Sequence, residues 1–109
     1  MFTEQLLFLP DTLPDYQPFP PAKERTAWEA LPQRVKTRFL HAGEAALAQP
    51  VAPLPLSLWL DFIHTGRRSA WEDAYFSRRA RLCALVCAEC VEHKGRFLDA
   101  VTDTVWAIC

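Results

Sequence analysis

The sequence predicts an all-α protein built from antiparallel helical hairpins that follow an extended, proline-rich N-terminal arm. Apolar residues recur at three- and four-residue steps, which is the spacing of one helix face. No stretch alternates apolar and polar residues over the length of a strand, and no glycine-rich turn joins two β-like runs. The chain of 109 residues, 50% of them hydrophobic, is long enough for one core and one domain.

The composition also excludes several classes of protein. A chain with 12% aromatic residues is not a disordered tail. A net charge of −1 argues against nucleic acid as a partner, because phosphate binding needs a broad positive field. The N-terminal apolar run ends at Pro10 without a preceding basic region, and no apolar run approaches the roughly 20 residues of a membrane helix. We therefore expect a cytoplasmic protein without a membrane partner, whose four cysteines are free thiols.

The arm is predicted over residues 1–21, and the helical domain over residues 22–109. Five of the nine prolines fall between Pro10 and Pro21, and each one restricts its own backbone and that of its predecessor to extended geometry. The apolar residues interspersed among these prolines are Leu13, Tyr16 and Phe19. Their presence indicates that the arm packs along a surface.

Proline delimits the first two predicted helices. A short helix follows Pro21 and runs to about Leu31, where Pro32 interrupts it because proline is tolerated only in a first helical turn. The second helix extends to about Gln49. Its predicted apolar face consists of Val35, Phe39, Ala42, Ala46 and Leu47.

A proline-rich connection and a glycine delimit the third helix. Prolines at three positions precede it, and the helix covers residues 56–64 and ends at Gly66. Ser69-Ala70-Trp71-Glu72 then predicts a capping box, in which the Ser69 hydroxyl accepts from the Glu72 amide and the Glu72 carboxylate reaches back to the Ser69 amide. The fourth helix should therefore start there.

The fourth helix is expected to run to about Lys94, with Gly95 as its left-handed terminator. It is apolar on most sides, which favours a central position. The tight reversal at Gly95 leads into residues 96–109, so the last two helices should form an antiparallel hairpin. The residues expected to face back are Phe97, Leu98, Val101, Val105 and Ile108. The last residues lack the usual helix-closing signals, which predicts that the chain is part of a longer protein.

The motif Cys83-x3-Cys87-x2-Cys90, followed by His93, has the cysteine spacing of the radical SAM cluster loop. A cluster needs a loop that curls around it, whereas a straight helix over these residues rises roughly 15 Å. On a helix the three thiols instead share one stripe, which also holds Phe76 and Ala80. This arrangement favours small core residues and predicts no metal site.

Two pairs of titratable residues have helical spacing, Glu89 with His93 and Asp99 with Asp103. Such pairs bring side chains together and can perform acid–base chemistry, but they are more often a solvated face. No nucleophile or oxyanion site accompanies them, so we assign no catalytic residue. Glu89 interrupts an apolar run, and a buried carboxylate there requires a partner, for which an arginine is the candidate.

Arginines cluster at Arg67-Arg68 and at Arg78-Arg79-Ala80-Arg81. Arg67 and Arg68 follow Gly66 at a helix junction, where guanidinium groups can bind a carboxylate or sulfate bidentately. They are the predicted substrate-binding residues, suited to an acidic glycan or a phosphate. The alternative is that the arginines pair with acids of the domain, namely Asp61, Glu72, Asp73 or Glu89. The four tryptophans lie at helical spacing among Leu and Ala, which favours core positions over sugar platforms.

Four segments carry a family resemblance, namely residues 56–62, 65–69, 75–82 and 88–100. The most specific parts are the Gly95-Arg96-Phe97-Leu98-Asp99 element and the preceding Ala88-Glu89-Cys90. The chain resembles the N-terminal helical region of bacterial heparinase II/III-like proteins. The resemblance implies the start of an incomplete (α/α) toroid, which in that family precedes an antiparallel β-sandwich. Arg67 stands where the family has Asn or Asp, whereas Arg68 matches.

The resemblance implies a polysaccharide lyase. In such lyases a base removes the proton α to a uronate carboxylate whose charge is neutralised, and the 4-linked leaving group departs. The family's catalytic His and Tyr would lie beyond Cys109, so the chain is expected to be scaffold, inactive alone and without a cofactor. Arg68 and Arg67 would then face an acidic oligosaccharide in the full-length protein.

A different hypothesis is a helical interaction module. Its last helix would offer an apolar face to a partner or to a second copy, forming a homo-oligomer. That face is predicted to consist of Val101, Val105, Trp106 and Ile108. A third hypothesis, nucleic-acid binding through Arg78, Arg79 and Arg81, conflicts with the net charge.

Overall fold

The computed structural model describes residues 17–109, which form five helices and no strand. The helices are α1 (Arg25–Glu29), α2 (Gln33–Ala48), α3 (Leu56–Thr65), α4 (Ser69–Glu92) and α5 (Leu98–Ile108). The all-α prediction is therefore confirmed for this part of the chain. Of the predicted arm, residues 17–21 are irregular, whereas Leu13 and Tyr16 lie outside the described residues.

Two helix boundaries are explained directly by local sequence. α2 begins immediately after Pro32, whose φ of −54° suits a chain entering a helix. α3 ends at Gly66, which adopts the left-handed conformation with φ 72° and donates its N–H to the carbonyl of Phe62 at 2.8 Å. Glycine suits this position because it has no Cβ to clash in the left-handed region.

The predicted capping box at Ser69 is wrong, although α4 does begin at that residue. The capping position belongs to Arg68, and no side chain caps the helix. The Glu72 carboxylate pairs with Nε of Arg68 at 3.1 Å. Ser69 thus lies inside the first turn of α4, and the acid three residues later is used in an ion pair.

The end of α4 also differs from the prediction. The last helical residue is Glu92, and His93 takes the left-handed conformation with φ 55°, donating its N–H to the carbonyl of Glu89. Gly95, the predicted terminator, provides a second left-handed residue with φ 79°. The chain therefore reverses through two left-handed positions, and a non-glycine residue forms the first of them.

α4 is the central element, as its apolar composition predicted, and it packs against each of the other four helices. In the first half of α4, Arg78 contacts Ala107 at the end of α5. Near the end of α4, Glu89 contacts Phe97 just before α5 begins. The two helices are therefore antiparallel. This confirms the predicted α4–α5 hairpin.

α2 also packs along α4 in the antiparallel direction, beside α5. Arg81 contacts Gln49 just beyond α2, while Ala88 contacts Gly43. Gly43 is buried, and a Cβ at this position would overlap the Cβ of Ala88 and lie 3.2 Å from a ring carbon of Phe97. The absence of a side chain thus allows the two helix backbones to approach closely.

The core lies where α2, α4 and α5 meet. Leu85, Ala88 and Phe97 are fully buried there. The residues that pack around them are Leu40, Ala46, Ala100 and Val101. The predicted inner faces of α2 and α5 are each partly wrong, because the following predicted residues are exposed: Ala42, Leu47, Leu98 and Val105. On α5 the core-facing position is taken instead by Thr104, which has no exposed surface.

Within residues 17–109, none of the helices combines the length and apolar character needed to cross a membrane.

Candidate functional site

The predicted substrate-binding arginines lie on the turn between α3 and α4. Thr65 organises this turn, since its hydroxyl donates to the carbonyl of Asp61 at 2.8 Å and accepts from the Arg67 amide at 3.2 Å. Arg67 and Arg68 are both exposed. The turn therefore presents two adjacent guanidinium groups at the surface.

Only Arg68 of this pair has an acidic partner among the described residues. Its Nε lies 3.1 Å from Oε1 of Glu72, yet 70% of its side-chain surface stays exposed. Arg68 therefore pairs with an acid of its own domain, as the alternative to substrate binding predicted, and Glu72 is one of the acids named for that pairing. The exposed ion pair holds Arg68 only weakly, because such pairs contribute little in water.

The second arginine cluster binds backbone carbonyls instead of acids. Arg78 donates to the carbonyls of Ala52 at 2.8 Å and Ala107 at 2.5 Å. Arg81 donates to the carbonyls of Ala46 and Gln49 and, through Nε, to the hydroxyl of Thr104 at 3.1 Å. The expectation of acid pairing is therefore wrong for Arg78 and Arg81. These side chains satisfy the free carbonyls at the ends of α2 and α5.

Arg79 and Arg25 also contact groups within the domain, an aromatic ring in one case and backbone carbonyls in the other. The guanidinium carbon of Arg79 lies 3.7 Å from the ring centroid of Tyr75. Arg25 on α1 donates to the carbonyls of Cys90 at 2.7 Å and Val91 at 3.2 Å, near the end of α4. The sequence contained no signal for the Arg25 contact, because its partners are backbone groups about 65 residues away.

Glu89 is buried, as its place in an apolar run predicted, with 8% of its surface exposed. Its partner is not an arginine, and that expectation is wrong. Oε1 accepts from the Gly95 amide at 2.7 Å, and Oε2 accepts from the Phe97 amide at 3.1 Å. Both carboxylate oxygens therefore hold the reversal that follows α4.

The acidic pairs do not assemble a site for acid–base chemistry. The carboxylate of Glu89 is engaged by two amides, and His93 is exposed at the left-handed position. Asp99 and Asp103 are both exposed on α5. The solvated-face interpretation therefore fits Asp99 and Asp103, and it is wrong for Glu89, which is buried.

The cysteine stripe is buried only at its C-terminal end. Cys90 is buried, Cys87 is half-buried and Cys83 is exposed, while Phe76 and Ala80 on the same stripe are exposed too. The core prediction therefore holds for Cys90 and is wrong for Cys83, Phe76 and Ala80. Burial raises the pKa of the Cys87 thiol, with neighbouring Cys83 and Cys90 acting in the same direction. In the part of the chain that the structure describes, no group of His, Cys, Asp or Glu side chains is arranged to hold a metal ion.

The tryptophans also divide between core and surface. Trp28 is buried and donates its Nε1–H to the carbonyl of Pro21 at 3.2 Å, whereas Trp106 is 85% exposed. Trp59 and Trp71 join α3 to α4 through an edge-to-face contact with centroids 5.4 Å apart. The core prediction is thus right for Trp28 and wrong for Trp106 and for Trp59, which is 40% exposed.

Cavities open on the surface formed by residues 17–109, and two of them border α4. The smaller, of about 330 Å³, lies beside Arg81 and the proline-rich connection after α2. The larger, of about 880 Å³, is an apolar groove between α1, α2 and α4. Its wall includes Trp28, Phe39, Val86 and all three cysteines of α4. Neither cavity is lined by Arg67 or Arg68.

Compared with known proteins, the chain matches no protein-family model, and no curated protein sequence is similar to it. The exposed features of residues 17–109 include the arginine pair, the apolar groove and the apolar side chains on α3 and α5.

Proposed function

We propose that residues 22–109 are the N-terminal helical part of a heparinase II/III-like polysaccharide lyase. In this proposal the whole enzyme cleaves uronate-containing glycans by β-elimination, and the helices described above begin its (α/α) toroid. The chain is cytoplasmic and supplies scaffold, so it is inactive alone.

The observation that carries the proposal is the contact between the two most specific parts of the resemblance. Glu89, from the Ala-Glu-Cys element, accepts hydrogen bonds from the amides of Gly95 and Phe97 in the Gly-Arg-Phe-Leu-Asp element. The two sequence motifs thus form one structural unit that joins the last turn of α4 to the start of α5. Such a unit is what a stack of antiparallel helical hairpins needs at each reversal.

The exposed apolar surface supports the same proposal. On α3, Leu56, Leu60 and Ile63 are 70%, 41% and 60% exposed, and on α5 Trp106 is exposed as well. Helices of a toroid pack on neighbours at both sides, so an isolated part of one leaves apolar faces uncovered. The arginine pair on the α3–α4 turn then offers positive charge to an acidic sugar.

The test uses two proteins, the 109-residue chain and a version extended by its natural downstream coding sequence. Unsaturated uronate, detected by its ultraviolet absorbance, is expected from the extended protein on at least one acidic glycan and not from the chain alone. In the extended protein, Arg68→Gln should raise KM for that glycan by about tenfold, the loss of one charged contact. Arg34→Gln, a change at an exposed arginine of α2, should leave KM unchanged.

Each result has a contrary outcome. Product from the 109-residue chain would show that the catalytic groups lie within it. Failure of the extended protein on uronate glycans of every class would remove the lyase proposal. An unchanged KM for Arg68→Gln would remove Arg68 from substrate binding while leaving the reaction in place.

A second candidate function is association through the outer face of α5. Val105 and Trp106 of the predicted face are 41% and 85% exposed, and Leu98 adds a third exposed apolar side chain. Val101 and Ile108 are half-buried. The exposed face is therefore smaller than the sequence predicted, and Trp106 is its largest side chain. We expect a homodimer whose formation depends on Trp106.

A further inference from the structure

The apolar groove between α1, α2 and α4 is large for a chain of this size. Its volume is about 880 Å³, and its wall contains Trp28, Val35, Phe39, Leu82 and Val86. Val86 keeps 39% of its surface exposed although it lies in the middle of the central helix. Apolar surface of this kind is stabilised when another apolar group covers it.

One edge of the groove is formed by the chain that precedes α1. Phe19, Pro20, Pro21 and Ala22 line it, and Phe19 is 75% exposed. The described part of the chain therefore begins beside the groove, two positions before Phe19. Sixteen residues span at most about 50 Å when extended, whereas the α4 wall from Leu82 to Cys90 is about 12 Å long. The segment is thus long enough to reach every part of the groove.

The composition of residues 1–16 matches this surface. Phe2 and the run Leu6-Leu7-Phe8-Leu9 are apolar, and residues 2–9 carry one carboxylate, that of Glu4, and no basic side chain. On α2, Arg34 and Arg38 adjoin the groove residues Val35 and Phe39, and neither arginine forms a salt bridge within residues 17–109. Apolar contact and charge of opposite sign therefore favour the same occupant.

We propose that residues 2–9 of this same chain bind in the groove and cover the cysteine stripe of α4. The segment then completes the core on the side where residues 17–109 leave Cys83 exposed and Cys87 half-buried. This inference concerns the folding of the chain and does not depend on the proposed function.

The experiment measures the rate at which each cysteine reacts with a maleimide, resolved by mass spectrometry of peptides. In Leu7→Asp/Phe8→Asp, Cys83 should react at least about tenfold faster than in the unmodified chain, because two apolar contacts are lost. Adjacent positions are changed together so that at least one faces the groove in any regular conformation. Cys109, which is exposed and outside the groove, should react equally in both proteins.

Thr3→Asp/Gln5→Asp is the matched control, since it adds the same charge to the same segment at polar positions. It should leave Cys83 as slow as in the unmodified chain. Equal Cys83 rates in the unmodified chain and in Leu7→Asp/Phe8→Asp would overturn the proposal. Protection of Cys83 that grows with protein concentration would also overturn it, because a second copy would then be the occupant.

A second measurement keeps the proposal testable if the aspartate variant unfolds, which rapid reaction of buried Cys90 would reveal. Phe8→Cys places a thiol in the segment of an otherwise native chain. With oxidised glutathione as the oxidant, it should form an intramolecular disulfide with Cys83 or Cys87 in the monomer. Absence of that disulfide would overturn the proposal.

Discussion

At the scale of single residues, Glu89 shows how a buried charge is accommodated in a small helical domain. Its two carboxylate oxygens accept from two backbone amides that lie just after the end of α4. Transfer of a carboxylate from water is costly unless such bonds replace its hydration. Glu89 therefore links the last turn of α4 to the start of α5 and makes the reversal specific.

Glu89→Gln is predicted to destabilise the chain by about 2–3 kcal/mol, the contribution typical of hydrogen bonds to a charged group. The neutral amide can accept from one backbone N–H, but its NH₂ group then faces the other donor. Urea unfolding followed by circular dichroism measures the change. A loss well below 1 kcal/mol would mean that the carboxylate is not needed at the reversal.

Glu92→Gln is the matched control on the same helix. Glu92 pairs with Arg96 at 2.8 Å, and this hydrogen bond lowers the pKa of the Glu92 carboxyl. Because the pKa of Glu92 is lower in the folded chain than in the unfolded chain, its ionised carboxylate stabilises the folded state at any pH above the unfolded pKa. This stabilisation is lost as the pH falls through the pKa of the folded chain. The variant should therefore differ slightly from the unmodified chain at neutral pH and not at all in strong acid.

Arginines on α1 and α4 act at the scale of elements by satisfying helix ends. Arg25 binds carbonyls near the end of α4, Arg81 binds them at the end of α2, and Arg78 binds one at the end of α5. Each helix leaves its last four carbonyls without a partner in the helix, and a cation there also interacts favourably with the helix dipole. In the described part of the chain, every buried side-chain nitrogen and oxygen has a hydrogen-bond partner.

The packing of α2 on α4 predicts a size constraint at Gly43. Gly43→Ala should destabilise the chain by about 1–2 kcal/mol, because the new Cβ overlaps that of Ala88 and overpacking outweighs the gain in helix propensity. Thermal or urea unfolding measures this difference. A more stable Gly43→Ala protein would show that the two helices separate without cost.

The double variant Gly43→Ala/Ala88→Gly tests the same contact from both sides. Ala88→Gly alone should be destabilising because glycine is a poor helix former. If the two Cβ positions compete for one space, the double variant should lose less stability than the sum of the single losses. If the two single losses of stability simply add in the double variant, the cost of Gly43→Ala does not come from its contact with Ala88.

At the scale of the whole molecule, the described residues leave several apolar faces uncovered. α3 exposes one, α5 exposes another around Trp106, and the groove between α1, α2 and α4 is a third. These faces lie on different helices, so one partner helix cannot cover all of them. The residues of the buried core are concentrated where α2, α4 and α5 meet.

Association of copies through α5 predicts that Trp106→Ser weakens the dimer by about 10- to 100-fold, because burial of a large apolar side chain contributes about 1.5–3 kcal/mol. Light scattering over a concentration series measures the dissociation constant. The unfolding midpoint of the monomer should change little, since Trp106 is 85% exposed.

Leu56→Ser is the control for this face, because Leu56 is 70% exposed on α3 and does not lie on α5. It should leave the dissociation constant unchanged. A chain that is monomeric at every concentration would count against the interaction module and leave the lyase proposal unaffected.

The sequence by itself determined the helices and their order, because periodic apolar residues, Pro32 and Gly66 act on the backbone next to them. Only the tertiary structure decided which side chains are buried and what they bind. Thr104 replaces Val105 in the core, and Glu89 binds amides where an arginine was expected. Such outcomes depend on how helices that are distant in sequence rotate and approach one another, as α2 and α4 do at Gly43 and Ala88. Local sequence patterns carry no information about how closely two helices approach.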